Sequence, residues 1–154
     1  TKRFDYATHN TVSLGATVAI TGGIQLRHSN GTDYTLCGTD DGRLVQLNTA
    51  GTTANIATGL TTNRRWSFDV YNDKVIAVNG VDAPMKWDGT TYGTLGGTPP
   101  TTASVVKVHS NRVFMFDNTL TSRVTWSALN NEEDYTTATS AGSTTWGMPA
   151  WCAG

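Results

Sequence analysis

Residues 63–89, NRRWSFDVYNDKVIAVNGVDAPMKWDG, constrain this chain more than any other stretch, because they hold three strand patterns and two tight connections with no helical period between them. Residues 65–70 alternate polar and apolar, the period of a strand with one face buried. At the following Tyr71-Asn72-Asp73 the Asn and Asp tolerate the left-handed backbone of a turn. Residues 74–78 then form an apolar run behind a single lysine, the pattern of a strand covered on both faces. Asn79-Gly80 and Pro84 interrupt the run before Met85 and Trp87 resume on one side. The segment reads as an antiparallel meander.

The same order returns about 40 residues later in residues 104–109, Ser110-Asn111, residues 112–116 and the Trp-bearing 123–127, so that Asn72 matches Asn111 and Trp87 matches Trp126 at one offset. A looser copy runs from Ile24 through Ser29-Asn30-Gly31 and Cys37 to Leu47. A period near 40 made of short strands is the signature of propeller-like blades. The expected fold is therefore all-β, a partial β-propeller-like array of antiparallel meander repeats, with a β-sandwich as the alternative. Its divisions are an arm and first strand at 1–23, repeats at about 24–62, 63–101 and 102–136, and a tail or start of a further unit at 137–154. Trp66, Phe68, Val75, Ile76, Trp87, Val113, Phe114 and Trp126 occupy matching phases of the two better repeats and are the expected buried core.

Composition supports the same class. The 154 residues include 28 Thr and 16 Gly against two Glu and four Lys, so strong helix formers are scarce and β-branched and turn residues abound. The length suits one domain with a core. A net charge of -1 gives no field that would draw in nucleic acid or anionic lipid, and no apolar run reaches transmembrane length. No nucleic-acid specificity and no membrane partner are expected. With no initiating Met and no secretory signal, the chain reads as a processed product or an excised piece of a longer one.

Outside the repeats, residues 1–10 lack a period and read as a frayed end, while residues 11–20 alternate weakly, as a first strand or strap would. Residues 128–135 carry the one acidic cluster, Glu132, Glu133 and Asp134, and read as a single helical turn capped by Asn131.

Chemistry-bearing patterns are sparse. A glycosidase needs two carboxylates facing each other across a bond, whereas Glu132, Glu133 and Asp134 are consecutive and aim in different directions. His9, His28 and His109 have no metal-ligand spacing, and the Asp40-Asp41-Gly42 and Asp82 turns do not follow the calcium-loop pattern. No nucleophile elbow, phosphate loop, zinc-protease or dinucleotide motif occurs. The chain is read as non-enzymatic, with no catalytic residue, cofactor or metal. Cys37 and Cys152 pair or remain free thiols; two cysteines set no framework. Trp66, Trp87 and Trp126 fall on the apolar phase of their strands, which leaves Trp146 and Trp151 as the candidate partner-contact residues.

Residues 63–89, together with SNRVFMF at 110–116 and SRVTWSALNNEEDY at 122–135, resemble in content and order a widespread group of tailed-bacteriophage structural proteins. The match covers about half of the chain. The resemblance implies a non-enzymatic virion component of the tail, neck or nozzle region, β-rich and propeller-like, forming a homo-oligomer and packing against other virion structural proteins. Such proteins usually continue past the point where this sequence stops, so a missing C-terminal portion or a reduced relative is expected. The alternative is an extracellular carbohydrate-binding or adhesive β-module that uses Trp146 or Trp151 as a sugar platform. Counting repeats leads to one further expectation: three units do not close a propeller, so an open apolar flank must be covered by more chain or by another subunit.

Overall fold

A computed structural model describes residues 13–15, 17–48, 51–117, 119, 123–137 and 139–145. The described residues are all-β, with no helix among them. Three four-stranded antiparallel sheets follow one another along the chain. The first contains β1 (Ile20–Arg27), β2 (Asp33–Thr39), β3 (Leu44–Leu47) and β4 (Thr53–Ala57). The second contains β5 (Ser67–Tyr71), β6 (Lys74–Val78), β7 (Met85–Trp87) and β8 (Tyr92–Thr94). The third contains β9 (Ala103–His109), β10 (Arg112–Asp117), β11 (Arg123–Trp126) and β12 (Gly142–Thr145). Within each sheet the strands lie in sequence order, so each sheet is a simple meander.

The turns expected to open the second and third meanders form as their residues dictate. Asn72 and Asp73 have φ of 44° and 58°, Ser110 and Asn111 have φ of 47° and 55°, and Tyr71 pairs with Lys74 as His109 pairs with Arg112. Two consecutive left-handed residues are the geometry of the two-residue hairpin that matches strand twist.

The sheets stack through their faces, and the second lies in the middle. Its Phe68, Val75, Ala77, Met85 and Trp87 form one core with Leu26, Leu36 and Leu44 of the first sheet. Its Tyr71, Ile76 and Val78 form another with Ala103, Val106, Val113 and Met115 of the third. The unbroken apolar run of β6 is thereby explained, since alternate residues enter opposite cores and none faces water. The first strands of the three sheets are neighbours, β1 beside β5 and β5 beside β9.

Several expectations require correction. The first strand begins at Ile20, within the segment read as arm and first strand, but runs on to Arg27, and residues 13–15 and 17–19, where a strand or strap was expected, form no strand. The stretch 142–145, read as part of a tail or the start of a further unit, is β12 and completes the third sheet. Six of the eight expected core side chains are buried, but Phe114 and Trp126 are only partly so. Val75 pairs with Trp87 in the second sheet, whereas in the third the equivalent Val113 exchanges backbone and side-chain hydrogen bonds with Ser127, and Trp126 pairs with Phe114. Turns and third strands thus do not share one offset, because Val113 and Ser127 are 14 positions apart where Val75 and Trp87 are 12, the strands of the third sheet and not its loop being longer. A one-residue displacement turns a strand residue to the opposite face. Trp126 therefore matches Lys86, not Trp87, and faces away from the core.

Candidate functional site

The first sheet meets the second through large rings. Trp66 stacks on Phe68 with centroids 6.0 Å apart, and Tyr34 meets Trp87 edge-on at 5.3 Å. Glycines make this approach possible, since a Cβ on Gly38 would lie 2.2 Å from Trp66 Cγ and one on Gly22 would lie 2.4 Å from the Trp66 carbonyl oxygen. Polar contacts stand at the rim. The Thr61 amide and hydroxyl both donate to the Asp82 carboxylate at 2.8 Å, and the Ser29 amide donates to Asp73 at 3.0 Å. Burial alone would raise the Asp82 pKa; hydrogen bonds from Asn79 and Thr61, with Arg64 nearby, outweigh it and hold the carboxyl below its usual value.

The second sheet meets the third through a mainly aliphatic core that also holds Met115, Tyr71 and Tyr135, and through a row of polar clasps. β9 is the edge strand of its sheet, and part of its free backbone is taken by side chains of β5. The Val106 amide donates to Ser67 Oγ at 3.2 Å and the Val108 amide donates to Asp69 Oδ2 at 2.9 Å. The Tyr71 hydroxyl donates to the Asn111 carbonyl at 3.4 Å.

The acidic cluster belongs to this clasp. The segment expected to be a helical turn instead forms an isolated bridge between Ala128 and Asn131, after which Asn131 Oδ1 accepts the Glu133 amide. Asn competes for local backbone donors in this way outside helices. Glu132 then accepts from Lys74, while Glu133 accepts from Lys86 and from the Gly96 amide, at 2.7 Å for the latter. The Lys86 ammonium, followed by the Gly96 amide, holds the Glu133 carboxyl below its usual range, and the Glu132 carboxylate raises Lys74. Asp134 binds its own turn, with the Thr137 hydroxyl first among the donors that draw it down to about 2. Glu132 and Glu133 thus hold distant chain segments together, and Asp134 fixes a local turn.

Other sequence candidates have structural surroundings. His28 accepts the Asn30 amide in the first hairpin, and His109 ends β9. Asp41 pairs with Arg43, and Asp40 accepts the Ala19 amide. Among the described residues no three His, Cys, Asp or Glu side chains converge, and no helix is long and apolar enough to cross a membrane. Cys37 is buried, which pushes its thiol pKa up; Cys152, His9, Trp146 and Trp151 lie outside the described residues.

Three surface features remain. An open cleft of about 830 Å³ lies where β1, the lead into β5 and the start of β9 come together, with Arg64, Arg65, Asn79 and Ser104 on its walls. A second, of about 440 Å³, is bordered by Asp117, Arg123 and Thr125, whose buried hydroxyl has no hydrogen-bond partner among the described residues. The third is the outer face of the third sheet, two of whose side chains, Phe114 and Trp126, were expected in the core. Pairing places Val105, Phe116, Val124 and Thr144 in one cross-strand row and Lys107, Phe114, Trp126 and Gly142 in the next. Val105 is 41% exposed and Phe116 38%. Phe114 and Trp126 lie 6.3 Å apart beside them, and Trp126 reaches over Gly142, where a Cβ would be 2.8 Å from its ring.

No protein-family model matches the chain, and no curated protein matches it at a significant level. Geometry and the resemblance of its motifs therefore supply the grounds for a functional reading.

Proposed function

We propose that this chain is a non-enzymatic structural component of a tailed-bacteriophage particle, acting in the tail or neck region, and that its three meanders are consecutive blades of a propeller-like array that does not close on itself. The observation that carries the reading is the partly exposed apolar patch on the third sheet, where Val105 and Phe116 reach the surface at the end of a stack whose two internal face-to-face contacts are filled. Exposed apolar area of this kind is covered when a protein is built into an assembly. The motif order at 63–89, 110–116 and 122–135 supplies the phage context. Partners are further copies of the chain and neighbouring virion proteins.

Mass spectrometry of purified particles from a host carrying the intact gene tests the proposal. Peptides of this chain at several copies per particle are expected. Particles that lack it, while free chain accumulates in the lysate, would refute a structural role in the virion. The carbohydrate-binding alternative makes a different prediction, namely glycan binding lost when Trp146 or Trp151 is changed to Ala.

A further inference from the structure

Two Asn-Gly pairs occur in the chain, Asn30-Gly31 and Asn79-Gly80. Such a pair can react with itself. The glycine nitrogen adds to the asparagine side-chain carbonyl carbon, the C–N bond to the amide nitrogen breaks, ammonia leaves, and water opens the resulting succinimide to aspartate or isoaspartate. Overall one water enters and one ammonia departs, with no oxidation or reduction. Glycine favours the step because no Cβ hinders the approach of its nitrogen. Beyond that, the side chain needs room to turn and the backbone must be able to leave its resting geometry, and in these respects the two pairs differ.

Asn30-Gly31 stands at the tip of the first hairpin. The His28 amide donates to the Thr32 carbonyl at 3.0 Å to close the turn, Asn30 and Gly31 are both exposed, and a Cβ on Gly31 would meet nothing within 4 Å. The Thr32 amide donates to Asn30 Oδ1 at 2.8 Å, where negative charge develops as the glycine nitrogen adds. Among the described residues nothing holds Asn30 Nδ2, the nitrogen that leaves. The bond that must yield, from the Gly31 amide to the His28 carbonyl at 2.9 Å, lies within the turn, so it opens without parting any two sheets.

Donors also reach Asn79 Oδ1, from the Val81 and Asp82 amides, so the difference lies in freedom to move. Asn79 is 4% exposed and its Nδ2 donates to Asp82 Oδ2 at 2.7 Å. The Gly80 amide donates to the Ala103 carbonyl at 2.8 Å, a bond from the second meander to the third. Reaction at this pair therefore requires the two meanders to separate locally.

We infer that Asn30 is a self-modification site of the folded chain, converting to aspartate and isoaspartate, while the fold holds the same chemistry in check at Asn79. The product puts a carboxylate one residue from the Ser29 amide, which donates to Asp73 across the rim of the first interface, and the isoaspartyl form also lengthens the turn by one backbone atom. Both changes weaken that clasp. The inference is independent of the virion proposal.

Tryptic peptides 28–43 and 75–86 each contain one asparagine and no glutamine, so the mass gained when an amide becomes a carboxylate assigns the conversion. In the folded chain at pH 8 and 37 °C, with circular dichroism confirming the fold, peptide 28–43 should convert at least about tenfold faster than 75–86. In urea the two should convert within about threefold of each other, because glycine follows both asparagines. In an Asn30→Asp variant, the Ser29 amide should exchange with solvent at least about threefold faster than in the parent. An Asn30 that stays intact in the folded chain while converting in urea would overturn the inference, as would equal conversion of the two peptides in the folded chain. Unchanged Ser29 exchange in Asn30→Asp would overturn the predicted loosening of the clasp.

Discussion

The two internal interfaces of this chain are built from different materials. Between the first and second sheets, rings and leucines meet across glycine-lined gaps and the hydrogen bonds lie at the rim. Between the second and third, aliphatic side chains meet with Met115, Tyr71 and Tyr135 while side chains of one sheet take the edge amides of the next, and lysine–glutamate pairs fasten the surrounding segments. The first kind depends on close packing, so removing or adding volume is costly. The second depends on many individually modest contacts, each worth about 0.5–1.5 kcal/mol net, and can loosen without disturbing its neighbour. We expect the second interface to part more readily than the first.

The largest expected effect is in the first interface. Trp87→Ala should destabilise the protein by about 3–5 kcal/mol, because a 2% exposed ring in contact with Tyr34 would leave a cavity. Urea unfolding measures this; a loss below about 1 kcal/mol would show that the ring is not part of a packed core. Gly38→Ala approaches the same interface from the opposite direction. Its new methyl would sit 2.2 Å from Trp66, so overpacking should cost about 1–3 kcal/mol, and Trp66 fluorescence should report the displaced ring.

Changes in the second interface should be smaller and local. Asp69→Ala strands the Val108 amide and should cost about 1–2 kcal/mol, with Ser67→Ala at the lower end of that range. Acid should act on the Glu133 clasp. Its pKa is depressed in the folded state, so its contribution is present above the unfolded carboxyl range and is lost as pH falls through the folded value. The side chain is 35% exposed, which limits the effect to under about 1 kcal/mol. Unfolding free energies measured from pH 7 to pH 3 should fall less steeply for Glu133→Gln than for the parent. Parallel curves would remove Glu133 from the account.

Much of this architecture was legible because local chemistry decided it. The Asn72-Asp73 and Ser110-Asn111 turns are set by residues that accept positive φ, and β6 announced its two covered faces by an unbroken apolar run. What local chemistry does not fix is phase across the second connection of a meander. Trp126 looked equivalent to Trp87 at a uniform offset, yet the longer strands of the third hairpin put Ser127 in that position and turned Trp126 outward. The same displacement hid the outer face of the third sheet, since Phe114 was counted in the core. The acidic cluster misled for another reason. Glu132 and Glu133 find Lys74 and Lys86 more than forty residues away in sequence, a pairing that only the stacked sheets create. The small β12, GSTT, has no apolar periodicity and is a strand because β11 lies beside it.

The unequal strength of the two interfaces is tested most directly by strand-resolved hydrogen exchange on a Ser67→Ala/Asp69→Ala double variant at neutral pH. With the β5 clasp removed, amides of β9 to β11 should exchange at least tenfold faster than in the parent, while those of β2, β3 and β6 change by less than twofold. An equal rise across all three sheets would mean that the chain opens as one cooperative unit, and would contradict the separation into a firm and a loosely held half.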